Sequence, residues 1–397
     1  MSAKKWPNGY REIYSRLKSS VASGSLRPGQ KVPSIRALAA EMGVAKRTVE
    51  WAYDLLISEG HLVSQVGKGT YVNPALRGAT PVKKKPRPTL IDGSPSPEGG
   101  IFQLGVPAFD LFPLAQWRRL AAECARSISI ADLRSAPGAG SLPLRHAIAS
   151  YLGIFRGFTC DPSQVIITAG YADSMGLIAT ALKAQDGKFA VEDPGYFRNA
   201  SILEGAGIFP TDALAGENGL DVEAFLRDHS DTNYLVVTPS HHSPLSGSIP
   251  LALRRKLLTW ARLKKAWIIE DDYDGEFHYD RQLIPALKAE DHADRVIYLG
   301  SFSKTLFPSL KLGFIVVPWE LRARVNEIQA HRSAPSLLTQ QIVCRFVERG
   351  YLARHLKKMR RAYFARRKAV IEAIEIAFPD LFLKMIAIDF SPVQKDR

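Results

Sequence analysis

Apolar residues at Ile13, Leu17 and Val21 recur once per turn and predict an amphipathic helix over residues 10–23, ended by Arg27-Pro28-Gly29. A second, short helix is expected after Pro33-Ser34, with Ser34 as its N-cap and Leu38 on the buried side. Gly43 closes it, Val44 opens a tight turn, and residues 45–58 predict a third helix with Val49, Tyr53, Leu56 and Ile57 on one face. Gly60 stops that helix. The segments 61–65 and 70–73 alternate around Gly67-Lys68-Gly69, as a small hairpin with a glycine-permitted tip does. Helix, turn, helix and hairpin together describe a winged helix-turn-helix. From about residue 101 the pattern changes to continuous apolar runs at 165–168, 188–192, 234–238, 266–270, 296–299 and 312–317, separated by helical stretches. Unbroken apolar strands between helices predict an α/β domain with a mostly parallel sheet covered on both faces. In such sheets ligands gather at the strand C-termini, and polar or small groups follow nearly every one of these runs.

The stretch between the two patterns is of another kind. Residues 76–100 hold Pro81, Pro86, Pro88, Pro95, Pro97, several glycines and Lys83-Lys84-Lys85, a composition that buries no core and suits a solvated tether. The expected division is therefore a reader over 8–75, a linker over 76–100 and a large domain over 101–397. Charge sharpens it: residues 1–88 carry 16 Lys and Arg against 5 Asp and Glu, most of the chain's net +14. A basic block fits either a polyanionic partner, through release of counterions, or a solubilising surface, and the helix-turn-helix inside it favours the partner. Cys124, Cys160 and Cys344 are far apart and form no metal-ligand or redox spacing, which fits a reducing compartment. No apolar run reaches the roughly 18 residues of a membrane span, so a cytoplasmic protein is expected.

Candidate chemistry sits at two places. Lys46, Arg47 and Thr48 open the third helix, where a recognition helix presents side chains to base edges, and Arg36 suits a phosphate or a guanine. In the large domain, an acidic cluster from Asp271 to Phe277 follows one apolar run. Its carboxylates alone would suit a hard metal ion, but no matching carboxylates or histidines follow the other runs, so no metal is expected. The next run ends in Gly300-Ser301-Phe302-Ser303-Lys304-Thr305. A lysine there, beside hydroxyls and with its pKa depressed by burial, suits bond formation to a carbonyl, and an aspartate on the neighbouring strand suits a pyridinium N–H.

The run from Leu26 to Val72 resembles the winged helix-turn-helix of the GntR superfamily over its whole length. That resemblance implies DNA contacts at Ser34, Arg36, Lys46, Arg47, Thr48, Gly67, Lys68 and Gly69, on a double-stranded operator. Ile35 departs from it, standing where Ser or Thr is frequent. The segments VEDPGYFRNA, VVTPSHHSPLSG, EDDYDGEFHYD and GSFSKTLFPSLKLGF resemble the fold type I aminotransferase-like domain of MocR-type regulators, the GntR subfamily that joins these two parts in this order. By this resemblance Lys304 forms an aldimine with pyridoxal 5'-phosphate, Asp271 pairs with the pyridine nitrogen, Tyr273 donates to O3′ and Tyr196 stacks on the ring. It further implies that Gly170, Tyr171, Ala172, Ser301 and Ser303 hold the phosphate with Lys311 as counter-charge, and that Arg198 lies near an effector's carboxylate. Three departures accompany it. Lys311 replaces the usual arginine, losing a bidentate fork. Gly170-Tyr171-Ala172 lacks a small hydroxyl and an amide, and His242-Ser243 replaces a glutamine and an aromatic. After a basic helix over 354–368 the chain also ends without the segment that carries the family's carboxylate-binding arginine, so a shortened second lobe is expected.

The function these readings point to is a DNA-binding transcription regulator that senses pyridoxal phosphate, or an amino compound, at Lys304, as a homodimer. Two alternatives stand beside it: a working aminotransferase with an accessory DNA-binding domain, and a dimerisation module that no longer holds cofactor.

Overall fold

The computed structural model describes residues 9–22, 25–65, 68–75, 105–133, 138–183, 187–277 and 284–377. Gly67, the linker over 76–100 and the C-terminal stretch over 378–397 lie outside the described residues. The chain divides into two compact units, Met1–Pro95 and Ser96–Arg397.

The first unit is built from α1 (Gly9–Ala22), α2 (Ile35–Met42), α3 (Lys46–Ser58) and an antiparallel pair, β1 (Leu62–Gln65) and β2 (Gly69–Val72). Ser34 caps α2, its side chain accepting from the Ala37 amide at 3.2 Å. Gly43 ends α2 in the left-handed region at φ 65°, a conformation that side chains resist, and so allows the sharp turn into α3. Ile13, Leu17, Val49, Tyr53, Leu56, Leu62 and Val72 are all buried in one cluster, while Ile57 is only half-buried at its margin. The Tyr53 hydroxyl donates to the Pro33 carbonyl at 2.8 Å and fastens α3 beneath the start of α2.

The second unit runs α4 (Leu114–Ser127), α5 (Leu142–Phe155), β3 (Val165–Thr168), α6 (Tyr171–Lys183), β4 (Phe189–Asp193), α7 (Arg198–Gly205), β5 (Thr211–Gly216), β6 (Gly219–Leu220), α8 (Val222–Asp228), β7 (Tyr234–Val237), α9 (Leu251–Lys264), β8 (Trp267–Asp272), β9 (Val296–Ser301), β10 (Gly313–Val316), α10 (Trp319–Ala330), α11 (Leu337–Glu348) and α12 (Tyr351–Ala377). The sheet order is β3-β10-β9-β8-β7-β4-β5-β6. Strands β9, β8, β7, β4 and β5 are parallel neighbours, and β10 runs antiparallel between β9 and β3. Alternate residues of one strand enter different clusters: Ile269 packs with α6 and α10, whereas Ile268 packs with α8 and α9. Burial on both faces is why these strands read as continuous apolar runs.

Strands β5 and β6 escaped the sequence pattern. In Thr211–Gly216 only Ala213 and Leu214 to Ala215 are apolar, and at this sheet edge just Ala213 and Ala215 are buried. A strand with one open face and small residues has no continuous apolar run to announce it.

Candidate functional site

β3, β4, β7, β8 and β9 point the same way, so their C-termini open on one edge of the sheet. That geometry gathers most of the expected cofactor residues. α6 starts at Tyr171, so the amides of Gly170, Tyr171 and Ala172 lie at its first turn, where N–H groups have no carbonyl partner within the helix and favour an anion. Lys311 comes beside them: a Cβ built on Gly170 would lie 4.0 Å from the Lys311 backbone, and one on Gly313 would lie 3.0 Å from the Gly170 Cα. Lys311 itself adopts the left-handed region at φ 48° to make this turn. At the end of β9 the Ser301 hydroxyl donates to Ser303 Oγ at 2.9 Å and accepts from the Ser303 amide at 3.1 Å, which ties the turn that leads into Lys304.

Lys304 is half-buried, and its amine lies against Gly105, where any Cβ would collide with Nζ. On the neighbouring strand Asp271 is buried. Burial pushes its carboxyl well above the ordinary range; a hydrogen bond with the Tyr171 hydroxyl opposes this, and Asp272, Glu192 and Asp274 reinforce it. Tyr196 follows β4 and meets the Tyr171 ring edge to face, with centroids 5.5 Å apart. Tyr273 is half-buried and stacks on His241, whose Nδ1 lies 2.6 Å from an Asp274 oxygen. Arg198 begins α7, exposed, with its guanidinium 5.5 Å from the Phe197 ring centroid.

The acidic cluster that suggested a metal has other partners. Asp272 receives Arg156 Nε at 2.5 Å, Arg156 Nη2 at 3.1 Å and the Tyr298 hydroxyl at 2.5 Å. Arg156, fully buried at the end of α5, also donates to Ser240 Oγ at 3.0 Å and to the Gly275 carbonyl at 2.6 Å. It thus binds the ends of β7 and β8 together and fixes the end of β8, which holds Asp271, and the turn after it, which holds Tyr273. Glu276 accepts from the Tyr151 hydroxyl. No group of three or more potential ligands that could hold a metal ion occurs among the described residues. Sequence reasoning missed Arg156; its only signal was an arginine closing the largely apolar last half of α5, from Ala147 to Phe155.

In the first unit Lys46 and Arg47 are exposed on the first turn of α3, with Thr48 half-buried beside them, and Arg36 is exposed on the first turn of α2. Ser34 Oγ is occupied as the α2 cap acceptor. Lys68 and Gly69 are exposed on the wing, where a Cβ on Gly69 would meet Lys31 Cε at 2.9 Å. Lys31, which forms a β-bridge to Tyr71 and sets its ammonium 5.7 Å from that ring, is a basic wing residue that the motif did not single out.

An amine, a buried carboxyl, two phenols and a helix N-terminus at one sheet edge fit a phosphorylated pyridine carbonyl compound. Residues 9–72 match the bacterial regulatory proteins of the gntR family, and residues 100–388 match aminotransferase class I and II. Fold and site thus define a DNA-binding winged helix joined in one chain to a pyridoxal phosphate domain of the aminotransferase class. The chain is 34% identical to a protein described as "Probable rhizopine catabolism regulatory protein MocR" from Rhizobium meliloti, over 91% of this chain and 76% of that one. It is 32% identical to the HTH-type pyridoxine biosynthesis transcriptional regulator PdxR of Corynebacterium glutamicum, over 91% and 78%. Among solved structures, the kynurenine aminotransferase of Pyrococcus horikoshii is similar at TM-score 0.65 and 25% identity, covering 73% of this chain and 74% of that one. LysN, an α-aminoadipate aminotransferase of Thermus thermophilus, is similar at TM-score 0.62 and 28% identity, covering 70% and 71%. The chain belongs to the MocR-type transcription regulators of the gntR family.

Proposed function

We propose that this regulator senses pyridoxal phosphate, or an amino compound that reacts with the bound cofactor, through the amine of Lys304. The observation that carries the reading is the placement of that amine, half-buried against Gly105 at the same sheet edge as the buried Asp271. The cofactor, when bound, supplies an electrophilic carbonyl and an electron-withdrawing ring. The protein's own groups do the rest. Lys304 would hold the cofactor through its carbonyl, Asp271 would keep a proton at the ring nitrogen, and Tyr273 and Tyr196 would orient the ring. The first turn of α6, with Ser301, Ser303 and Lys311, neutralises the phosphate. Lys311 does so as a point charge, which suits reversible occupancy better than a bidentate arginine would. Arg198, exposed at the start of α7, is positioned for an effector's carboxylate.

On the DNA side Arg36, Lys46, Arg47 and Thr48 read the major groove while Lys68 and its neighbouring glycines track the backbone beside it. A homodimer would set two readers on two half-sites. The test combines borohydride reduction and peptide mass spectrometry with binding to duplexes selected from a random pool. Cofactor should leave an adduct on Lys304 and change DNA affinity by about 5- to 150-fold, the usual range of allosteric coupling. Lys304→Ala should abolish both effects. Equal DNA affinity in the wild-type chain with and without cofactor, and with and without a panel of amino compounds on the loaded chain, would remove the sensing role.

A further inference from the structure

The basic helix that the sequence announces over 354–368 has no part in the cofactor site. Residues 345–361 hold seven Lys and Arg and one acid, Glu348. On α12, Leu356, Met359 and Tyr363 are buried, while Arg354, Lys357, Lys358 and Arg361 are all exposed. Steps of three and four residues set these four cations on one stripe about 10 Å long. Arg354 and Lys358 donate to the carbonyls of Arg349, at 3.1 Å, and Leu111, at 3.2 Å. Lys357 and Arg361 have neither a hydrogen bond nor an ion pair among the described residues. Like charges at this spacing oppose the helix, and Arg354 stands on its first turn, the positive end of the dipole. Folding gains nothing from such an arrangement.

The stripe continues onto the neighbouring helices. Arg354 lies over the Tyr351 ring, whose hydroxyl accepts from Arg119 of α4 at 2.6 Å. Arg119 and Arg349 share one carboxylate, Glu123, at 3.7 and 2.8 Å. Arg345 of α11 donates to Ser127 Oγ at 2.9 Å, which closes the surface on its other side. The first part of α12, the end of α11 and one face of α4 thus form a continuous cationic surface.

We propose that this surface of the second unit binds the phosphate backbone of duplex DNA, in sequence flanking the site that the reader holds. A row of cations answers a partner whose negative charge repeats, and a duplex carries one charge per ~1.7 Å of its axis. The winged helix already holds such a partner, and its covalent union with the second unit keeps that duplex at high effective concentration. Phosphate contacts carry no base information, so the surface adds affinity in any flanking sequence.

The experiment uses the full chain and two duplexes that share a site selected from a random pool. One is trimmed to that site and the other is extended on both sides by arbitrary sequence. Affinity is measured across a salt series for the wild type and for the double variant Lys357→Gln with Arg361→Gln. On the extended duplex the variant should bind more weakly, with a slope of log affinity against log salt shallower by about 1.8, at ~0.9 per phosphate contact. On the trimmed duplex, which reports the reader by itself, the two proteins should match. The loss should persist when the flanking sequence is changed, and the variant should melt at least as high as the wild type, since repulsion along α12 is relieved. Equal slopes on the extended duplex overturn the proposal, and so does an equal loss on both duplexes. Salt-sensitive binding of polyglutamate that the variant loses, with its slope on the extended duplex unchanged, would give the surface to an acidic protein instead. Failure of the wild type to bind either duplex overturns the proposal together with the role of the reader.

Discussion

Buried ionisable side chains gather at the sheet edge of the second unit, and how stable each is there depends on what answers it. Arg156 shows the complete case: with its Asp272 fork and three other acceptors, Ser240 Oγ and the Gly275 and Ile284 carbonyls, it is satisfied, whereas an unpaired buried charge costs several kcal/mol. Glu192 is a less complete case. One oxygen accepts from the Thr238 amide at 3.0 Å and hydroxyl at 2.6 Å, and nearby His242 is pushed down to about 4 by its own burial, so it brings no positive charge. Burial raises the Glu192 carboxyl from 4.5 to about 7. The folded chain therefore keeps a proton that the unfolded chain has released, and stability is fully present below 4.5 and falls as pH rises to about 7. Glu192→Gln should remove this slope. Its advantage in urea melts should be near zero at low pH and grow to roughly 3 kcal/mol above neutrality, at ~1.4 kcal/mol per pKa unit. Parallel curves for the two proteins across that range would show that Glu192 does not hold the proton.

At the scale of elements, helix ends decide where the expected DNA contacts stand. α2 and α3 meet at Gly43 and place the first turns of both helices, with Arg36, Lys46 and Arg47, in the open. Ser34 serves two purposes in this reading, as the α2 cap and as a DNA contact, and two substitutions separate them. Ser34→Ala should lower the reader's stability by about 1 kcal/mol through loss of the cap. Ser34→Asp keeps a capping oxygen and favours the helix dipole, so it should melt close to the wild type while binding duplex more weakly, because a carboxylate then faces phosphate. Thermal melts and gel shifts on the same samples check both, and normal DNA binding by Ser34→Asp would take Ser34 out of the interface. Helices and central strands were legible in the sequence because their period is local, whereas β5 and β6 at the end of the sheet were not, because β5 buries only two alanines and β6 is two residues long.

At the scale of the whole molecule, the two units have separate cores. Among the described residues the reader's cluster draws only on those between Tyr10 and Val72, and residues 1–75 carry 11 Lys and Arg against 5 Asp and Glu. A fragment covering residues 1–75 should thus fold alone, with helical circular dichroism and a cooperative melt, and bind duplex with a strong salt dependence but lower affinity than the full chain, having lost any two-fold partner. A non-cooperative melt would show that the reader needs the larger unit.

By itself the sequence determined the two-part architecture and the winged reader, and it singled out Lys304 and Asp271 as candidates, since each is announced by neighbours in the chain: a period, a cap, a polar residue at the end of an apolar run or just past it. Only the tertiary structure decided what answers them. Arg156 meets Asp272 across 116 residues, Gly105 lies against the Lys304 amine, and the Tyr171 phenol reaches Asn199 on α7. Such pairings are set by which strand ends are adjacent in the sheet, and strand order is a property of long-range packing that no local pattern encodes.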